Sequence, residues 1–115
     1  MKVTDVYVLK DKDEKLEAAL ADVASIEPDF ESALLTAAEA ETDYAVAYSK
    51  AYLAADGSIQ AREAAATIAT ERYLRAMNDA KAVKKFLEVK LKDRQDAVSA
   101  RQSLLSAEVK TNRAF

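Results

Sequence analysis

Six cationic side chains, Lys81, Lys84, Lys85, Lys90, Lys92 and Arg94, fall within 14 residues, and Arg101, Lys110 and Arg113 follow. Cations at this density suit one chemistry, the neutralisation of phosphates along a nucleic-acid backbone, with an affinity that falls steeply as salt is added. On a helix Lys81, Lys84, Lys85 and Lys92 share one side, with Phe86 and Val89 near its edge. The same residues also suit the solvated flank of a coiled coil that pairs with acidic helices. Both readings stand at this point.

Other chemistry is short of parts. The chain has no histidine to move a proton near neutral pH, no cysteine nucleophile, and a single glycine where a phosphate-cradling loop needs several. We therefore expect no enzyme, no cofactor, no metal and no small-molecule substrate. Asp11, Asp13 and Glu14 read as a helix start whose carboxylates complement the dipole. Calcium would need a glycine-bearing loop around them. Glu41 interrupts an apolar face, and a salt bridge to a lysine or arginine of the last helix explains it better than a metal site without histidine. Tyr44, Tyr48 and Tyr52 recur every four residues, with Tyr73 placed to face them. Such a ladder stacks nucleobases or, more often, packs in a thin coiled coil with its hydroxyls at the edge.

The elements that must position these groups are helices. One glycine, Gly57, and one proline, Pro28, leave 115 residues almost nowhere to turn. Residues 1–10 read as an extended arm or a frayed helical start. A short helix is expected over 11–24, with Leu16, Ala19, Leu20 and Val23 as its apolar face. Ser25-Ile26-Glu27-Pro28 should end it, because a proline disfavours helical torsions in the residue before it and suits a first turn. A second helix is expected over 28–55, with the stripe Phe30, Leu34, Ala37, Glu41, Tyr44, Tyr48, Ala51 or Tyr52, and Ala55. Asp56-Gly57-Ser58 then reverses the chain, with Gly57 ending one helix and Ser58 capping the next.

A third helix, 59–110, shows no breaker. Its stripe is Tyr73, Met77, Ala80, Val83, Leu87, Leu91, Arg94 or Gln95, Val98, Gln102, Leu105 and Val109. Beyond Leu91, polar residues interrupt the seam at heptad spacing, as where buried polar groups specify register. A helix leaving the core for solvent gives the same pattern. At about 1.5 Å per residue this helix outruns the second, so its far half must meet the first helix, another subunit or solvent.

Half the residues are hydrophobic, but many are alanine and only eight are aromatic. Alanine favours helix and buries little area, so we expect self-association, with Leu87, Leu91, Val98, Leu105 and Val109 as candidate contacts between copies. Residues 1–57 carry 13 acids and 5 bases, a charge of −8, whereas residues 58–115 carry 7 acids and 12 bases, a charge of +5. Such asymmetry points to nucleic-acid contact or to pairing of acidic with basic helices. Neither a signal peptide nor an apolar run of about 18 residues is visible, so the expected location is the cytoplasm.

The stretch YAVAYSKAYLAADGSIQAREAAATIATERYLRAM and the ending LKDRQDAVSARQSLLSAEVKTNRAF resemble small helical proteins encoded in the replication and recombination gene clusters of tailed phages. The resemblance spans roughly residues 40–113 and extends loosely to the UvsY-type recombination mediators. Those mediators are helical and oligomeric, bind single-stranded DNA and help load a recombinase onto DNA coated by single-strand-binding protein. The resemblance implies DNA contacts by Lys84, Lys85, Lys90, Lys92 and Arg94, with assembly through the segment from Arg101 to Val109. The acidic N-terminal half departs from the basic, aromatic one of the mediators.

The expectation is an all-α protein: a long antiparallel helical hairpin with a short N-terminal helix, assembled as a homo-oligomer in the host-cell cytoplasm. Its partners would be other copies of itself, single-stranded DNA and recombination proteins. The alternative is a coiled-coil protein–protein module, such as an adaptor, a virion or scaffolding component, or an inhibitor of a host enzyme. A membrane-surface role is weak, because the last helix has few large apolar residues on its apolar face.

Overall fold

A computed structural model describes the backbone of residues 3–114 and the side chains of residues 14–110. The described chain is helical apart from a short turn: α1 (Val3–Ala54), α2 (Ile59–Ala69) and α3 (Glu71–Ala114). By its internal packing it divides into two units. Unit 1 joins Met1–Asp29 to Glu88–Phe115, and unit 2 is Phe30–Leu87.

Three expectations about the helices are corrected. Of the two readings of the N-terminus, arm or helical start, the described part of it, from Val3, is helical; Asp11, Asp13 and Glu14 therefore lie inside α1 rather than in the first turn of a helix. The side chains of Asp11 and Asp13 lie outside the described residues. Nor does the chain break at Pro28, and the helices expected over 11–24 and 28–55 are one helix of 52 residues. An internal proline removes one backbone hydrogen bond and costs about 3 kcal/mol. Two observations account for its tolerance. Pro28 is exposed, so the carbonyl it leaves unpaired, on exposed Ala24, is open to water. Ile26, two residues earlier, is only 6% exposed, and its packing holds the helix on the N-terminal side.

The third correction concerns the helix expected over 59–110. It is interrupted at Thr70, which ends α2 with φ −109° and ψ 11°. Thr70 is the most deeply buried polar residue described, at 2% exposure. Its hydroxyl donates to the Ala66 carbonyl at 2.6 Å, and its own N–H donates to the same oxygen at 3.1 Å. The Thr70 carbonyl accepts from both Tyr73 N–H and Leu74 N–H at 3.0 Å. A threonine that bonds back to the fourth carbonyl before it bends a helix.

The reversal between α1 and α2 follows the expectation. Gly57 has φ +104°, and no other described residue has a positive φ. The Ser58 hydroxyl accepts from Ala61 N–H at 3.2 Å as the N-cap of α2, while the Ser58 carbonyl takes the first helical bond, from Arg62 at 2.9 Å. In unit 2, α1 and the pair α2–α3 therefore form a hairpin. The approach of Glu41 Oε1 to Lys81 Nζ at 3.9 Å fixes its antiparallel register.

The seam of unit 2 is made largely of alanine. On α1 the buried and half-buried positions include Phe30, Ala33, Ala37, Ala40, Tyr44, Ala47 and Ala51, in alternating steps of three and four, with Tyr48 and Tyr52 half-buried beside that line. Leu34, at 42% exposure, and Glu41 lie off this line, contrary to the expected stripe. From the other side come Arg62, Ala66, Thr70, Tyr73, Met77, Ala80, Lys84 and Leu87. Their spacing is four and four through α2, then three and four along α3, and Thr70 marks the change. Val83, expected on the seam, is 53% exposed, and Lys84 occupies the neighbouring seam position instead. In unit 1 the corresponding residues are Leu16, Ala19, Val23 and Ile26 on α1, with Leu91, Val98, Arg101, Leu105, Glu108 and Val109 on α3. Polar residues, Arg101 and Glu108, thus do continue that seam, but not those expected: Arg94, Gln95 and Gln102 are all exposed.

Candidate nucleic-acid interface

The seven candidate cations all lie on α3, yet they do not form one face. In unit 2, Lys85 is exposed, Lys81 is tied to Glu41, and Lys84 is half-buried on the alanine seam. The Glu41–Lys81 pair is loose and largely solvated, with side chains 64% and 44% exposed, so it is worth only a few tenths of a kcal/mol. Glu41 is accordingly an ion-pair partner on the flank of the seam.

In unit 1, Lys90, Lys92 and Arg94 are exposed and Arg101 is half-buried. Arg94 and Arg101 follow Lys90 by four and then seven residues, so these three share a side, and Lys92 points elsewhere. The Arg101 Nε is buried without a hydrogen-bond partner among the described residues. Glu88 and Asp96 stand four residues to either side of Lys92, at the spacing where carboxylates compete with phosphate for a lysine. Among the described residues, the exposed cations outside any ion pair are therefore Lys85 in unit 2 and Lys90, Lys92 and Arg94 in unit 1. Lys84 and Arg101 have roles inside the chain, and Lys81 is partly neutralised.

The tyrosines belong to packing. Tyr44, Tyr48, Tyr52 and Tyr73 are all half-buried, and the rings of Tyr44 and Tyr48 lie 6.1 Å apart at a 47° tilt. Arg72 sits 4.9 Å over the Tyr73 ring and donates to its hydroxyl at 3.2 Å.

Leu87, Leu91, Val98, Leu105 and Val109, expected between copies, contribute to packing inside the chain. Val98 is 9% exposed and the other four are half-buried. Large apolar side chains are left exposed elsewhere, among them Leu35 at 62%, Leu53 at 78%, Ile68 at 77% and Phe86 at 66%. Sequence reasoning missed Ala33, Ala40, Ala66 and Thr70. Hydropathy spacing carried no signal for them.

Among the described residues no three potential ligands cluster to hold a metal ion, and no helix is long and apolar enough to cross a membrane. No protein-family model, no curated protein and no solved structure matches this chain.

Proposed function

We propose that the protein is a non-enzymatic accessory factor of phage DNA recombination or replication. It acts in the host-cell cytoplasm as a homo-oligomer, on single-stranded DNA, its coat protein or the recombinase. The observation that carries this reading is the exposure of Lys85, Lys90, Lys92 and Arg94 on a helix whose stretch from Lys81 to Arg94 holds six bases and two acids. The resemblance of residues 40–113 to phage recombination proteins supports it as well. Contacts from lysine and arginine tips neutralise phosphates and carry no sequence information. With the tyrosines occupied in packing, binding is independent of base identity.

The test is a salt series with a labelled single-stranded oligonucleotide. Each phosphate contacted on a single strand contributes about −0.7 to the log–log slope, so the slope counts the cations that engage. Affinity that is undetectable in dilute salt overturns direct DNA binding.

A second reading, the coiled-coil protein–protein module without nucleic-acid binding, is favoured by a separate observation. Asp22, Glu27, Asp29 and Glu31 are all exposed on α1, Asp22 with Asp29 on one side and Glu27 with Glu31 on another. Reversing these four charges would then abolish capture of a defined partner, such as the purified recombinase or coat protein, while neutralising Lys85 and Lys92 would not.

A further inference from the structure

The outward side of α1 in unit 2 carries a second stripe that the intrachain seam does not use. Leu35, Ala38, Thr42, Val46, Ser49 and Leu53 follow one another in steps of three and four, and all six are exposed. No charged side chain lies on this line over five turns. Thr42 donates its hydroxyl back to the Ala38 carbonyl at 3.0 Å, which leaves its methyl group outermost. Leu35, Val46 and Leu53 are 62%, 47% and 78% exposed.

We propose that this stripe is the contact between two copies of the chain, which pair antiparallel about a twofold axis level with Tyr44 and Ala45. The proposal deepens the homo-oligomer of the preceding reading and rests on it for the fact of self-association. One observation selects a second copy as the occupant.

That observation is charge. Glu39 and Lys50 border the stripe on the same flank, and among the described residues neither is in an ion pair. They stand at equal distances on either side of the proposed axis. Antiparallel pairing sets Glu39 of each copy beside Lys50 of the other, twice, as flank positions on one side meet in an antiparallel pair. Glu41 and Lys81 already meet in this way inside unit 2. The same axis sets Leu35 beside the second copy's Leu53, and Thr42 beside its Val46. A parallel pair would instead put the two copies' Glu39 on opposite sides of the contact, and likewise their Lys50, so neither cross-pair would form.

Sedimentation of the full chain at low salt tests this. The wild type is expected to dimerise at micromolar concentration. Glu39→Lys or Lys50→Glu alone should weaken the dimer about tenfold, and the double exchange should restore it. Register is read separately, since the chain has no native cysteine. Leu35→Cys mixed with Leu53→Cys should form a mixed disulfide, while neither variant should cross-link to itself. A wild type that stays monomeric at high micromolar concentration overturns the proposal. So does a dimer indifferent to the single charge reversals, or self-cross-linking of Leu53→Cys. All four positions are exposed, and circular dichroism verifies that each variant remains helical. Oligonucleotide affinity measured in parallel keeps the two ideas apart, because the interface can be present without DNA binding, and DNA binding without the interface.

Discussion

Replacing Gly57 with alanine should destabilise the protein by about 2 kcal/mol. The residue has φ +104°, well past the left-handed region near +57° that an L-residue tolerates least badly. Holding alanine there costs about 1–2 kcal/mol. The added methyl would meet the Ala61 Cβ at 3.3 Å, tighter than ordinary contact. That atom is fixed to the first turns of α2, so the turn must shift rather than a flexible tip. The lower entropy of an unfolded alanine chain adds up to ~1 kcal/mol to the cost of folding glycine and so offsets part of the loss. The net effect corresponds to a fall in Tm of about 8 °C for a chain of this size. Urea unfolding followed by circular dichroism, at one protein concentration, gives the shift in midpoint. Gly57→Asn should fall between the two, because asparagine accepts positive φ more readily. An alanine variant within about 0.3 kcal/mol of wild type would refute the reasoning, since the reversal could not then depend on this torsion.

Other substitutions probe the rest of the hairpin. Ser58→Ala removes the hydroxyl that accepts from Ala61 N–H and should cost about 1 kcal/mol in the same assay. Ala66→Leu overfills a position that is 0% exposed, and should lower stability by about 1–3 kcal/mol or more. Exchanging Glu41 and Lys81, separately or together, should change stability by less than about 0.5 kcal/mol, because the pair is loose and solvated.

The turn was legible because Gly57 and Ser58 each carry a local signal whose physics involves few neighbours. Pro28 carried an equally plain signal and was misread. The proline's effect on the backbone is local, but the burial of Ile26 and the exposure of Pro28 that offset it are set by packing. The seam was displaced for a related reason. Leu34 and Glu41 fall in step with Phe30, Ala37 and Tyr44, and a leucine outweighs an alanine in any hydropathy pattern. Ala33 and Ala40 were chosen instead because small side chains let two helices approach closely, a property that hydropathy does not record. The same blindness applied at Thr70, whose back-bonding hydroxyl is indistinguishable in sequence from that of an exposed helical threonine such as Thr67, which bonds to the Glu63 carbonyl at 2.8 Å. Among the candidate cations, composition located the helix correctly. It could not tell Lys84 and Arg101, turned toward the seams, from Lys85 and Lys92, turned to solvent.

That distinction supplies the most direct measurement. Single-stranded oligonucleotide affinity should be compared at one low salt concentration for two variants. One neutralises Lys85, Lys90, Lys92 and Arg94 to glutamine, and the other changes Lys84 and Arg101 to methionine. The account predicts that the first loses binding at least a hundredfold and flattens the salt slope toward zero, while the second stays within about threefold of wild type. Equal losses in both, or full affinity in the first, would contradict it.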